Sequence, residues 1–193
     1  RLLEGVPGEP SKIEQGSAGL SCVWAEENTR EAIYDAMARK ETWATSGTRI
    51  VVRVFGGFDF ADAMPGDKHW VSVGYKHGVP MGGDLRRAAK GAAPRLLIAA
   101  SKDPNSGNLD RIQVIKGWVD AAGKTHDRIY DVAWSGNRRI GSDGKLPAVG
   151  NTVDVKNASY TNTIGSPELA TVWKDPDFDP AVPAFYYVRV LEI

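Results

Sequence analysis

The sequence is short of the residues that most chemistry needs. It holds one cysteine, Cys22, so neither an internal disulfide nor a cysteine-based zinc cage is available. Its three histidines are His69, His77 and His126, and no two have the four-residue spacing that turns both rings to one helical face toward a metal. No His-x-His occurs. Charge of one sign is also missing: Lys+Arg and Asp+Glu number 24 each, so nothing draws the chain onto nucleic acid or an anionic membrane. No apolar run approaches the roughly 20 residues that cross a bilayer. Neither G-x-x-x-x-G-K nor G-x-G-x-x-G is present, which removes two common backbone cradles for phosphate.

What is present suits a turn-rich β protein. The 193 residues are 42% hydrophobic, enough for a real core in one or two domains, and 21 glycines and 11 prolines punctuate them. One stretch reads otherwise. From Asn28 to Lys40 the spacing predicts a helix. Asn28 stands as N-cap and Glu31 three residues on can reach back to the cap amide. Glu26, Glu27 and Glu31 complement the positive end of the helix dipole, and Arg39 and Lys40 the negative end. Ile33, Ala36 and Met37 form a narrow apolar stripe expected to be buried on the following sheet. Thr45-Ser46-Gly47 supplies turn residues, and a strand follows over 49–56, where Arg49-Ile-Val-Val-Arg-Val54 turns β-branched.

Elsewhere the pattern is strand and turn. Residues 1–21 read as an irregular lead-in, His69–Tyr75 as a short strand, Val79–Gly83 as a turn and Arg86–Gly91 as an exposed basic loop. Arg95–Ser101 is a short apolar run consistent with a central strand. Arg111–Asp120 and Asp127–Ser135 flank a glycine-containing loop and predict an antiparallel hairpin, with Ile129 facing Ile112 and Val114 across it. Shorter strands are expected at 151–155, 158–163 and 169–174, and 185–193 closes the chain. The fold class expected is mainly β with one principal α-helix, the later region an antiparallel β-sandwich.

Each candidate site has a plainer reading beside it. Asp67-Lys68-His69 has the Asp-x-His form of a metal-ligand pair, or is a polar loop. Asp175-Pro-Asp177-Phe-Asp179 alternates three carboxylates as a hard cation favours, but Pro180 follows where a calcium loop of the EF-hand kind needs glycine, and its twelfth position is Tyr186 rather than glutamate. The plainer reading is an Asp-turn leading into the last strand. Asp103 to Asp110 is a looser case of the same kind. Glu26 and Glu27 point in different directions on a helix and make no acid–base pair. Cys22 reads as a small buried apolar residue. The six tryptophans serve as core or as a sugar-binding platform.

Several runs together resemble one family. They are Trp24-Ala-Glu-Glu-Asn-Thr-Arg-Glu-Ala32, Arg39-Lys-Glu-Thr-Trp-Ala-Thr-Ser-Gly47, Pro80-Met-Gly-Gly-Asp84, Asn108-Leu-Asp-Arg-Ile-Gln113, Lys116-Gly-Trp-Val-Asp120, Tyr130-Asp-Val-Ala-Trp-Ser135 and Phe185–Ile193. They resemble the C-terminal half of the bacterial DUF3604 family, which is similar to the polymerase-and-histidinol-phosphatase (PHP) metallohydrolases. The resemblance implies that 1–56 is the tail of a PHP-like α/β domain, 57–93 an irregular insertion and 94–193 the sandwich. It implies a parent protein that is a hydrolase using a divalent metal, with the ligands upstream of Arg1, so that this fragment carries no cofactor and is not active alone. Its partner would be the N-terminal domain of the same protein. Thr45, Ser46 and Arg49 would then either border the active-site mouth or simply end the helix. An extracytoplasmic location also follows from the resemblance, whereas the residues themselves assign no compartment, substrate or oligomeric state. A binding module for carbohydrate or protein is the alternative.

Overall fold

The computed structural model describes residues 19–86 and 92–193. Most of the expected lead-in (1–18) and of the expected basic loop (87–91) lies outside them. The described chain is mainly β, with antiparallel sheets and two helices.

A small hairpin comes first. β1 (Leu20–Val23) pairs antiparallel with β2 (Thr42–Thr45), and α1 (Arg30–Ala38) joins them. The helix differs from its expected form in three ways. Its cap is Thr29 and not Asn28: the extended Thr29 accepts the Ala32 amide on Oγ1 at 3.3 Å. The one-residue shift puts Ala32 where Glu31 would complete a capping box, so Glu31 only complements the dipole. Second, the helix stops at Ala38 because Lys40 adopts the left-handed region, at φ 61°. Glu41 N then donates to Ala36 O and Lys40 N to Met37 O, the Schellman pattern with lysine in the usual glycine place. Third, of the stripe only Ala36 is buried; Ile33 is half-buried and Met37 is 57% exposed.

Two larger sheets follow. β3 (Val51–Gly57) runs beside β4 (Val79–Pro80) and β5 (Arg95–Ser101), and β10 (Glu168–Lys174) completes the order β10-β5-β3-β4. Segments 49–56 and 94–101 therefore share one sheet. The second sheet holds β6 (Leu109–Val119), β7 (Thr125–Trp134) and β11 (Ala184–Glu192) in the order β11-β6-β7. β8 (Val153–Asp154) and β9 (Ser159–Tyr160) form a separate small hairpin.

The expected strand at His69–Tyr75 is instead the start of α2 (Trp70–His77). Trp-Val-Ser-Val-Gly-Tyr alternates like a strand, but its aromatic side chains find their partners at helical spacing. Trp70, Tyr75 and the buried Gly74 meet Phe55 on the outer face of β3: ring centroids lie 6.0 Å apart for Phe55–Trp70 and 4.9 Å for Phe55–Tyr75. A side chain at position 74 would run into the Phe55 ring, so the glycine is what allows this approach. Segment 57–93 thus contains a packed helix rather than only irregular chain.

The main core lies between the two sheets. Val52, Leu96, Ile98 and Ala100 project from the first, and Ile112 and Val114 from the second, each alternate residue along its strand. Burying one such branched side chain is worth about 1.5–3 kcal/mol. The β6–β7 hairpin forms in the expected segments, with a different facing pair. Ile129 lies opposite Ile115 on the outer face, and Val114 lies opposite Tyr130. A register shift between Ile112 and Gln113 separates the two ends of the ladder. Among the described residues no helix is long and apolar enough to cross a membrane.

Candidate functional site: an open side of the sandwich

The two sheets do not close on both sides. Where β3 and β11 form the flank, a groove of about 1520 Å³ runs between them. Its floor is the core face of the first sheet, with Val52, Val54, Gly56 and Leu96. Residues of β11 from both faces of the strand line it, from Ala184 to Val190, so it is the open edge of β11 that the groove meets. Phe178–Pro183, the connection from β10, makes one wall, and Met81–Leu85 stands among the lining residues as well. Thr42–Ser46 adds the edge of β2. Apolar floor, open strand edges and hydroxyls at the lip are the chemistry of a binding groove.

The residues singled out in the sequence scatter. Thr45 and Ser46 lie on the groove, Thr45 Oγ1 accepting the Gly47 amide at 3.4 Å. Arg49 is tied elsewhere, its backbone N donating to Asp103 Oδ2 at 2.8 Å. Asp67 and His69 are exposed at the start of α2, where Asp67 Oδ1 accepts the His69 amide at 2.8 Å. Among the described residues no three of His, Cys, Asp and Glu gather as metal ligands would.

Both carboxylate loops already hold a cation, and it is a lysine. Lys116, on β6, sends its ammonium into the 175–177 turn. Nζ donates to Asp175 Oδ2 at 2.6 Å and to the Asp177 carbonyl at 2.7 Å. Asp175 Oδ2 also accepts the Tyr186 hydroxyl at 2.5 Å, so the residue in the twelfth position serves the loop as a donor. Asp177 Oδ2 accepts Tyr130 Oη at 2.6 Å and faces Arg128 at 2.8 Å. Asp179 leaves the cluster and caps the Ala181 amide. In the other loop, Lys102 Nζ donates to the carbonyls of Asp103, Pro104 and Ser106, while Asp110 pairs with Arg111 and Arg138. Each ammonium thus bonds oxygens of the kind a hard cation would take.

With the geometry described, one comparison bears on identity. The family model described as a protein of unknown function, DUF3604, matches residues 5–193. This chain belongs to the DUF3604 family. No curated protein and no solved structure matches it.

Two tryptophans of the DUF3604 chain brace the first hairpin against β3. Trp24 and Trp43 lie 5.0 Å apart and donate their indole N–H groups to Val52 O and Ile50 O, and Arg53 stacks on Trp24 at 4.2 Å. Cys22 is half-buried and pairs across the hairpin with Trp43. Glu27 accepts the Thr29 hydroxyl, part of the helix start. Glu41, buried at 3% exposure, accepts from Arg39 and from Tyr75 Oη.

The residues that sequence reasoning missed are Lys116, Tyr130 and Tyr186. A signal was available for the lysine: in Ile112-Gln-Val-Ile-Lys116 it stands on the alternate positions that carry the core face, where an unpaired ammonium is not tolerated. Burial first, and then the hydrogen bond to a carboxylate, pushes both tyrosine hydroxyls well above the usual phenol range. They are therefore fixed donors and not nucleophiles.

Proposed function

We propose that this chain is the C-terminal, non-catalytic region of a metal-dependent hydrolase similar to the PHP enzymes, and that it docks on the catalytic domain of the same protein. The observation that supports this is the outward face of α1. Tyr34 is 70% exposed and Met37 57%, with half-buried Ile33 beside them. Apolar side chains exposed together on one helix face suit a surface that another body covers. The divalent metal belongs to that catalytic domain, since the candidate ligands of this chain are spent on lysines, backbone amides and solvent.

The experiment is to purify the chain, supply zinc, manganese or iron, and assay generic phosphoesters and esters. Activity at the metal-free background is expected, with turnover appearing when the upstream domain of the same gene is joined to it. Turnover by the isolated chain, abolished in His69→Ala or His126→Ala, would overturn the reading.

The groove favours a second reading, a β-sandwich binding module. Phe185 and Tyr187 stand at its rim, 62% and 51% exposed, with rings 6.5 Å apart and nearly parallel. Such a platform suits a sugar or an extended peptide. Binding of soluble oligosaccharides by the isolated chain, lost in Tyr187→Ala, would favour this reading over the first.

A further inference from the structure

We propose that Phe178–Pro183 is a strap along one wall of the groove, and that Lys116 is the tie that holds it in place. This goes beyond the assignment of the chain to a hydrolase and does not depend on it.

The strap leaves β10 at Lys174 and reaches β11 at Ala184, passing from one sheet to the other. It has no ladder of its own. Past Asp177 its hydrogen bonds are local: Ala181 N donates to Asp179 Oδ1 and Val182 N to Asp179 O. What fixes it lies at its start. Asp175 N donates to Pro94 O, Asp175 Oδ1 accepts the Asp177 amide, and Lys116 reaches from β6 to join the Asp175 carboxylate to the Asp177 carbonyl. Tyr130 and Arg128, from β7, hold the Asp177 side chain at a more exposed point. Asp175 and Lys116 are both buried, so their tie is shielded from water, whereas the six residues that wall the groove carry no comparable anchor among the described residues.

The tie and the wall therefore sit on opposite sides of one hinge, between Asp177 and Phe178. Phe178 and Val182, half-buried, face a groove whose width follows the strap. Releasing the ammonium frees the turn that aims the strap while the two sheets stay joined through their own core. A segment with few buried contacts opens locally, without global unfolding.

Hydrogen exchange reads this directly. In Lys116→Met the amides of Asp177, Ala181 and Val182, which hold the hydrogen bonds in and beside the strap, should exchange about tenfold faster beyond any rise that the lost stability gives the amides of β3 and β5. A second variant serves if that protein does not fold. Tyr130→Phe combined with Arg128→Ala releases only the Asp177 carboxylate, and should quicken the same three amides about threefold. An even rise across both sheets would mean that the lysine only stabilises the core. Unchanged strap amides in both variants, or in the double variant alone if Lys116→Met is unfolded, would equally overturn the proposal.

Discussion

On the flank of β10 and β7 the sheets are drawn together, and on the flank of β3 and β11 they stand open. The closed flank has large rings that span the gap: Tyr130 of β7 lies 5.0 Å from Trp173 of β10. Beneath them the Lys116–Asp175 pair joins the strands by charge as well. The open flank has Val54 and Gly56 facing it, short side chains on the first sheet. Side-chain reach thus separates the two flanks, since both draw on the same pair of sheets. The closed flank spends polar groups to fix one geometry, and the open one keeps apolar surface and strand edges available.

The largest test of that contrast is Asp175→Ala. Removing one member of a buried pair leaves Lys116 charged and unmatched, a loss of about 3–5 kcal/mol that urea denaturation will measure. A loss under 1 kcal/mol would mean that water reaches the pair and the closed flank is not dry. Next come two cavity variants read together. Ile98→Ala, fully buried in the core, should cost about 2–5 kcal/mol. Val188→Ala, on the groove side, deletes two methyl groups that already border open space, and should cost about 1 kcal/mol. Equal losses would show the groove to be as tightly packed as the core. Away from both flanks, Thr29→Ala should cost about 1 kcal/mol while Asn28→Ala changes nearly nothing, since only Thr29 holds the cap. Thermal melting of the two variants decides between them.

The smallest effect is one of pH, and it is absent at neutrality. Tyr186 and Tyr130 hold their protons more tightly in the folded chain than in the unfolded one. Their contribution is complete below the ordinary phenol value of about 10 and fades as pH rises above it, because the unfolded state then releases protons that the folded state keeps. Denaturation midpoints should fall more steeply above pH ~10 for the wild type than for Tyr186→Phe. Parallel curves would place that hydroxyl in water.

Much of the fold could be read in advance where one period ruled. Arg95–Ser101, the β6–β7 segments, 169–174 and 185–193 show either an apolar run or alternation between turns, and each is a strand. Reading failed where two periods fit the same letters. Trp70–Tyr75 alternates like a strand, yet its aromatic residues are satisfied by Phe55, which lies earlier in the chain and on another element. The cap was missed by one residue, because Asn28 and Thr29 are both good caps and local chemistry does not choose between them. The groove could not be read at all. Its parts are Thr42–Ser46, Met81–Leu85 and the chain from Phe178 onward, brought together only when both sheets have formed.

By itself the sequence determined a neutral, turn-rich β protein with one capped helix, and its motif runs pointed to DUF3604. It did so through local patterns: alternation, turn residues, a cap, a run of family letters. Tertiary structure decided the rest. It gave the carboxylates of 175–177 to a lysine about sixty positions earlier in the chain, 2.6 Å from Asp175 across the core. It left Met37 outside and turned 70–77 into a helix. Charge pairing in a dry core and the reach of a side chain across a gap depend on distance in space, and spacing along the chain does not encode that distance.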